Sequence, residues 1–254
     1  MRMTRRQFAI SGCLAPLIGL TGTPTRAADA DPVLIEWSTI APRSAAEKVR
    51  LRVHASGFIV AWPPGRGQEQ KETRSPEEVR KLAEAAAEVV HTNSLSTEAL
   101  RSELREQSRR TGLAFQIHEA DDSLVRVRGE FGMVELRCPA PPLLANRFPD
   151  ATRLQAYATL EQRLANLSCV VQCGGKEAAE RLCRHANDRL RAEHPEAAAW
   201  SVDELMMVRR SADGGRFVQF RRGEFHDECW TTCVTESPGL APRVTVIPPA
   251  SQVR

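Results

Sequence analysis

The stretch Leu167–Leu190 constrains the fold more than any other part of the chain, because it contains three of the seven cysteines and several clear structural patterns. Its opening run, Leu167–Gln172, is short and β-branched, which predicts a buried strand. The pair Gly174–Gly175 predicts a turn, and apolar residues then recur at helical spacing. Cys183 lies on that apolar stripe. The sequence therefore predicts a strand, a glycine turn and a helix that buries this thiol in a core.

Patterns elsewhere in the chain alternate between strands and helices. Ser75, Pro76 and Glu78 form a capping-box arrangement that predicts the start of a helix. Its apolar face continues to residue 90 and includes Leu82, which is predicted to be buried. Further patterns predict an edge strand at 33–37, a hairpin of 49–53 with 58–62, a helix over 97–109, strands at 113–117, 124–128 and 133–137, a helix capped by Asp150, and a hairpin of 200–210 with 216–222. Together they predict an α+β fold in which antiparallel hairpins and a meander pack with amphipathic helices.

Changes in composition predict the domain organisation. Residues 1–30 are predicted to be a cleaved export signal outside the fold. Three prolines between residues 139 and 142 favour a boundary between an N-terminal α+β half, 31–138, and a cysteine-containing α+β half, 150–235. Residues 236–254 are rich in proline and are predicted to form a partly extended tail. A linker inside one domain is an equally good interpretation of the central prolines.

The N-terminal residues carry an export pattern. The run Thr4–Phe8 contains two adjacent arginines, and the apolar stretch Phe8–Leu20 follows it. This arrangement resembles a twin-arginine signal peptide, and the resemblance covers residues 1–30 alone. It implies a bacterial protein that crosses the inner membrane in folded form and reaches the periplasm. Small residues predict cleavage near Ala27 or Ala30, and an ordinary secretory signal is the alternative interpretation.

Removal of the signal would change the charge of the chain. The full sequence has 35 basic and 32 acidic side chains and a net charge of +3. Residues 1–30 hold four arginines and one aspartate, so 31 side chains of each sign remain. A neutral mature chain loses the main argument for binding nucleic acid or anionic lipid. No later apolar run approaches the length of a membrane span, so none is expected after cleavage.

Six cysteines remain after the signal, and an even number in an oxidising compartment predicts structural disulfides. The candidates are Cys138, Cys169, Cys173, Cys183, Cys229 and Cys233. The last five are predicted to form one sulfur-rich cluster, with Cys138 nearby or alone. Two pairs have C-x-x-x-C spacing, which on a strand separates the α-carbons by about 13 Å, too far for a disulfide. Because the first pair falls in the predicted strand, each of its cysteines is expected to bond elsewhere.

A metal site is the sharper alternative for the second C-x-x-x-C pair. His226, Cys229 and Cys233 place an imidazole and two thiols within eight residues of sequence. Thiolate and imidazole ligands together suit copper or zinc. Neither a C-x-x-C pair nor a C-x-x-C-H haem motif occurs in the chain. The sequence therefore predicts no cofactor, with copper or zinc kept as the alternative.

Sequence motifs of common enzyme classes are missing. The chain contains no H-E-x-x-H, G-x-S-x-G, Walker loop or G-x-G-x-x-G, so no catalytic residue is predicted. The leading hypothesis is an exported, disulfide-stabilised binding or accessory protein whose partner is another periplasmic protein or a small ligand. One alternative is a metal-binding or thiol-redox protein that uses the cysteine pairs. Another is a hydrolase whose site forms only in the folded chain.

Overall fold

The computed structural model describes residues 31–64, 67–117, 119–130, 132–223 and 228–252. Within these ranges the chain forms ten strands and five α-helices, so the fold is α+β as predicted. The strands are β1 (Val33–Ile40), β2 (Glu47–His54), β3 (Phe58–Ala61), β4 (Gln70–Thr73), β5 (Asp122–Gly129), β6 (Gly132–Pro139), β7 (Leu205–Arg210), β8 (Arg216–Arg222), β9 (Trp230–Glu236) and β10 (Arg243–Ile247). The helices are α1 (Pro76–Thr92), α2 (Thr97–Thr111), α3 (Pro141–Arg147), α4 (Thr152–Cys173) and α5 (Lys176–Glu193). No helix in these ranges is both long and apolar enough to cross a bilayer.

The first sheet has six antiparallel strands in the order β4-β3-β2-β1-β5-β6. The predicted hairpin of 49–53 with 58–62 is confirmed by the pairing of β2 with β3. The prediction that residues 33–37 form an edge strand is wrong, because β1 pairs with both β2 and β5. Its short sequence pattern contains no information about partners that lie far along the chain.

The prediction of a strand at 113–117 is also wrong. Gly112 ends α2 in the left-handed conformation, with φ of +72°. The carbonyl oxygens that follow are bound by side chains. The Ser108 hydroxyl donates to the oxygen of Leu113 at 2.7 Å, and Arg147 Nη1 donates to that of Ala114 at 2.6 Å. Since these side chains occupy the carbonyl groups, the segment forms no ladder with a neighbouring strand.

The second sheet is a four-stranded antiparallel meander in the order β10-β9-β8-β7. The predicted hairpin across residues 211–215 is confirmed by the pairing of β7 with β8. Part of the predicted proline-rich tail is regular structure, because β10 pairs with β9 along its whole length. The alternate residues Val244 and Val246 pack against the core beneath this sheet.

Helix α1 begins as its sequence predicts. The Ser75 side chain accepts a hydrogen bond from the backbone N–H of Glu78, and the Glu78 side chain binds the backbone N–H of Ser75. The buried side chains of α1 that face the first sheet are Val79, Ala83, Ala86 and Val90. Leu82, which was predicted to lie in the core, is half-buried at the margin of that face.

The predicted strand Leu167–Gln172 is wrong, because these residues form the end of α4. Leu167 and Val171 contact the core under the first sheet, whereas Cys169 and Val170 contact the core under the second. A helix that is buried on all sides carries no amphipathic period. A short apolar run of this kind cannot be told from a buried strand by its pattern.

The start of α4 also differs from the prediction. Asp150 was expected to cap this helix, but its carboxylate pairs with Arg110 at 2.6 Å. The cap comes from α2, where the Glu103 carboxylate accepts hydrogen bonds from the backbone N–H groups of Arg153 and Leu154 at 3.2 and 2.9 Å. A carboxylate at a helix N-terminus also interacts favourably with the helix dipole.

Two apolar cores lie under the two sheets. The first core contains the buried side chains of the first sheet and of α1 to α4, with Phe148 and Tyr157 the largest. The second core lies between the second sheet, α5 and the end of α4, and includes Trp200 and Phe220. Because α4 contributes to both cores, the described residues from Asp31 onward belong to one compact unit. The division into halves at residues 138 and 150 stays a prediction.

Candidate functional site

An apolar groove lies between the second half of α1 and the β5–β6 hairpin, and is called the α1 groove below. Its volume is about 720 Å³, which falls in the range of pockets that bind small molecules. The floor is made of aliphatic side chains from α1 and three strands: Leu34, Ala83, Ala87, Val90, Val127 and Val134. The arrangement can hold an apolar group against the edge of the first sheet.

Small residues leave the space of the α1 groove unfilled. Ala83 and Ala87 occupy the helix positions that face the opening, and alanine is the smallest side chain that still favours a helix. On the opposite wall, Gly129 and Gly132 belong to the hairpin. A side chain at Gly132 would meet no atom within 4 Å, but the φ of +113° at this position favours glycine.

The rim of the groove carries more acidic than basic charge. Arg80 is held between Glu77, at 2.7 Å, and Glu84, and these contacts raise the pKa of its guanidinium. Glu88 and Glu130 also line the groove, and neither forms an ion pair with another residue in the described ranges. The other basic side chains of the lining are His91 and Arg128, and Nε of Arg128 donates to the carbonyl oxygen of Val33 at 3.2 Å. The rim is therefore suited to an apolar ligand that also carries positive charge.

Beside the groove, apolar side chains are exposed at the free edge of the sheet. Met133 and Val134 on β6 are 42% and 37% exposed. β6 is the outermost strand of the first sheet. The patch therefore combines an apolar surface with the edge of a sheet, a combination that the sequence patterns did not reveal.

The prediction that five cysteines form one cluster is wrong for Cys233, which lies outside the second core. Cys169, Cys173 and Cys183 lie in the second core, and Cys138 lies in the first. Cys233 is half-buried between Thr232 and Val234, which are both fully buried. Successive side chains of a strand point to opposite faces, so Cys233 points away from the second core.

The expectation of disulfides is also wrong in this structure. The free thiols are Cys138, Cys169, Cys173, Cys183 and Cys233. Cys169 and Cys173 are four residues apart on α4, where β-carbons are separated by about 5–6 Å, whereas a disulfide needs about 3.5–4.5 Å. The other thiols lie on different elements and faces.

Burial makes most of these thiols unreactive. It raises the pKa of Cys138, Cys169 and Cys173 to about 12, and that of Cys183 to about 11. The thiolate is the nucleophile and the metal ligand, so a thiol with such a pKa is a poor one. These four cysteines therefore act as small apolar side chains in the cores.

Cys229 has a different environment. It is buried, and the Nε and Nη2 groups of Arg221 both donate to its Sγ at 3.3 Å. His226, the predicted imidazole ligand, lies outside the described residues. Across the described ranges, no group of three or more His, Cys, Asp or Glu side chains could hold a metal ion. The possibility of a site formed by His226, Cys229 and Cys233 stays a prediction.

A buried polar cluster in the first core was missed by sequence reasoning. The Tyr157 hydroxyl donates to the carbonyl oxygen of Ser123 at 3.0 Å, and Trp37 Nε1 donates to the Ser123 hydroxyl at 3.2 Å. Glu161 lies beside them, and its Oε2 has no hydrogen-bond partner in the described structure. Burial raises the pKa of the Glu161 carboxyl to about 7, although hydrogen bonding to Ser123 and Trp37 opposes this rise. Ser123, Tyr157 and Glu161 lie below the surface, so the cluster offers no support for a hydrolase.

A second cleft of about 760 Å³ runs along the outer side of α4. Its lining mixes aliphatic side chains with polar and charged ones, among them Arg163, Lys176, Glu180 and Asp203. A smaller share of its surface is apolar than in the α1 groove. The α1 groove is therefore the better candidate for a binding site.

No family model matches the chain, and no curated protein or solved structure is significantly similar to it. The function is therefore inferred from the geometry of the described residues.

Proposed function

We propose that the protein is a binding or accessory protein without chemistry of its own, and that its α1 groove holds an apolar group flanked by positive charge. The observation that carries this proposal is the groove itself, with its aliphatic floor and its volume of about 720 Å³. Burial of apolar surface supplies the favourable free energy of such a complex, at about 25 cal/mol per Å². The unpaired carboxylates of Glu88 and Glu130 favour a basic ligand over an acidic one.

A displacement experiment tests this proposal. Nile red, a neutral dye that fluoresces in apolar surroundings, would be bound to the protein and displaced by decylamine or by decanoate. We expect decylamine to displace the dye at lower concentration than decanoate. Ala87→Trp should weaken dye binding by about tenfold or more, because the indole fills the groove. Ala85→Trp is the matched control, because Ala85 is exposed on the same helix.

Two results would contradict the proposal. Equal dye affinity in the Ala87→Trp and Ala85→Trp variants would place the dye outside the α1 groove. Stronger displacement by decanoate than by decylamine would contradict the role of the acidic rim. Circular dichroism of both variants would show that the fold is retained.

We propose further that the protein acts in the periplasm after export in folded form. The arginine pair in Thr4–Phe8 supports this localisation. Replacing Arg5 and Arg6 together by lysine should retain the protein in the cytoplasm, as measured by cell fractionation. Arg2→Lys is the control, and export of the double variant would contradict the proposal.

Thiol chemistry at Cys229 is a second candidate function. The observation in its favour is the pair of hydrogen bonds that Arg221 donates to the Cys229 sulfur, which distinguishes this cysteine from the thiols of the two cores. Alkylation of the native protein by iodoacetamide, followed by peptide mass spectrometry, would test it. Preferential labelling of Cys229 over Cys233, which is more exposed, would favour this candidate over the binding protein.

A further inference from the structure

The outer edge of β6 offers backbone hydrogen-bonding groups to a partner. In an antiparallel pair, alternate residues direct both their N–H and their C=O groups toward the neighbouring strand or away from it. β6 pairs with β5, and Met133, Glu135 and Arg137 lie opposite Arg128, Arg126 and Leu124. Since Met133, Glu135 and Arg137 alternate along β6, their backbone groups share one direction.

The contacts of Thr97 show which direction that is. Its hydroxyl oxygen, on the first residue of α2, accepts a hydrogen bond from the N–H of Arg137 at 3.0 Å. The same hydroxyl donates to the carbonyl oxygen of Glu135 at 3.4 Å. The backbone groups of Glu135 and Arg137 therefore point away from β5, and those of Met133 do so by alternation. Thr97 closes the edge at one end, and no other group in the described residues binds the backbone of Met133 or the N–H of Glu135 on this side.

The open part of the edge lies beside the α1 groove. Val134 lines the groove, and its neighbours Met133 and Glu135 point to the opposite face of the sheet. A strand added beside Met133 would therefore direct alternate side chains to the groove side of the sheet. A strand in this position would form backbone hydrogen bonds with β6 and also place an apolar side chain in the α1 groove.

The charges around this edge favour an added strand of one particular charge. Glu88 and Glu130 line the groove, and Glu135 lies on β6 itself, where it pairs with Arg126 at 2.9 Å. A second copy of the protein would bring the same carboxylates toward one another, which is unfavourable. A segment whose groove-facing positions carry both an apolar and a basic side chain would instead place positive charge beside Glu88 and Glu130.

We propose that an extended, basic segment of a partner protein binds by adding a strand to the first sheet beside Met133–Glu135, with an apolar side chain in the α1 groove. This inference rests on the proposed function, which it deepens by naming an extended peptide as the ligand. Main-chain hydrogen bonds to the edge would supply affinity, and the groove and its acidic rim would supply specificity.

The probe is the heptapeptide Lys-Thr-Leu-Thr-Leu-Thr-Lys, blocked at both ends and fluorescently labelled, whose lysines and leucines share one face of an extended strand. Its affinity for the full chain would be measured by fluorescence anisotropy. Two further peptides carry N-methyl groups on alternate backbone nitrogens in one register or the other, which removes those donors and blocks pairing on that edge. We expect the peptide whose methyl groups face β6 to bind about tenfold or more weakly than the parent, and the other, whose methyl groups face solvent, to bind about as well as the parent. Replacing lysine by glutamate should also weaken binding.

A protein variant tests the same contact from the other side. Met133→Pro removes an N–H that points away from β5, so the ladder within the sheet is retained. It should weaken peptide binding by about tenfold, whereas Met133→Ala, which keeps the N–H, should bind within about threefold of the original protein. Nile red binding should be unchanged by Met133→Pro.

The outcomes separate strand addition from the proposed function. If both N-methylated peptides bind as well as the parent while Nile red still enters the groove, strand addition is overturned and the binding protein stands. If neither peptide nor dye binds, both proposals fail. A dimer seen in sedimentation that Met133→Pro abolishes would identify a second copy as the occupant and overturn the inference. The peptide series decides the matter even if Met133→Pro fails to fold.

Discussion

The two cores bury polar groups in different ways. In the first core, Glu161 is an ionisable side chain with an unpaired oxygen. In the second core, the buried polar groups around Trp200 are neutral and paired, with Trp200 Nε1 donating to Thr232 Oγ1 at 2.9 Å. The backbone N–H of Trp200 is bound by the side chain of Asn187 at 2.5 Å. The first core is therefore expected to respond to pH, whereas the second is expected to depend on individual hydrogen bonds.

The largest expected effect tests whether the two cores fold as one unit. Phe148 and Phe220 are almost fully buried, one in each core. Phe148→Ala and Phe220→Ala should each lower the free energy of unfolding by about 3–5 kcal/mol. Because α4 belongs to both cores, each variant should show a single transition in urea, seen at one midpoint by circular dichroism and by tryptophan fluorescence.

Two separate unfolding transitions in either variant would contradict this expectation, because they would show that the cores unfold independently. Met206→Ala serves as the control, because Met206 is 42% exposed and should change stability by no more than about 0.5 kcal/mol.

The next largest expected effect is a pH dependence of stability that comes from the buried carboxyl group of Glu161 in the first core. The pKa of Glu161 is raised from 4.5 to about 7 in the folded protein, so the native state binds more protons than the unfolded state between these values. Its stabilising effect is complete below about pH 4.5 and is lost as the pH rises through about 7. In that interval the stability of the original protein should fall relative to Glu161→Gln by up to about 1.4 kcal/mol per pH unit.

Urea denaturation of both proteins at a series of pH values measures this difference. The other titratable groups near Glu161 are Cys138, Tyr157 and Asp122. Burial raises the pKa of Cys138 and Tyr157 further above neutral, so both remain protonated across the interval. Parallel stability profiles for the two proteins would show that Glu161 is not responsible.

The smallest expected effect concerns the hydrogen bond between the uncharged side chains of Trp200 and Thr232 in the second core. Thr232→Val keeps the shape of the side chain but leaves the buried N–H of Trp200 without its acceptor. Thermal or urea unfolding should show a loss of about 1–3 kcal/mol that does not vary between pH 4.5 and 7. Thr235→Val is the matched control, because Thr235 lies on the same strand and is exposed. A loss of equal size in both variants would mean that the hydrogen bond contributes little.

Local patterns in the sequence were enough to predict several elements of the fold. The capping box at Ser75 and Glu78 lies within four residues, so α1 could be predicted from the residues that form it. The turn at Gly174–Gly175 was predicted correctly, because both glycines adopt the positive φ angles that other residues rarely adopt. The placement of Cys183 on the buried side of α5 was also correct, since a single helix carried its full apolar stripe.

The candidate site could not be predicted in the same way. The small residues of α1 and of the β5–β6 hairpin are visible in the sequence, but the space between them exists only when both elements meet. The open edge of β6 likewise depends on the order of strands and on Thr97, which lies about forty residues before the strand it closes. The polar cluster around Glu161 is formed by side chains of β1, β5 and α4, so no local sequence pattern predicts it.

The sequence by itself determined the α+β class, the helix starts that depend on adjacent residues, and the turns that require glycine. The tertiary structure decided the state of Leu167–Gln172, because burial from two sides removes the periodicity that distinguishes a helix from a strand. It also decided that Glu103, rather than Asp150, caps α4, since that carboxylate arrives from another helix. Interactions between residues close in sequence can be read from their spacing, whereas contacts between distant residues are set only when the whole chain packs.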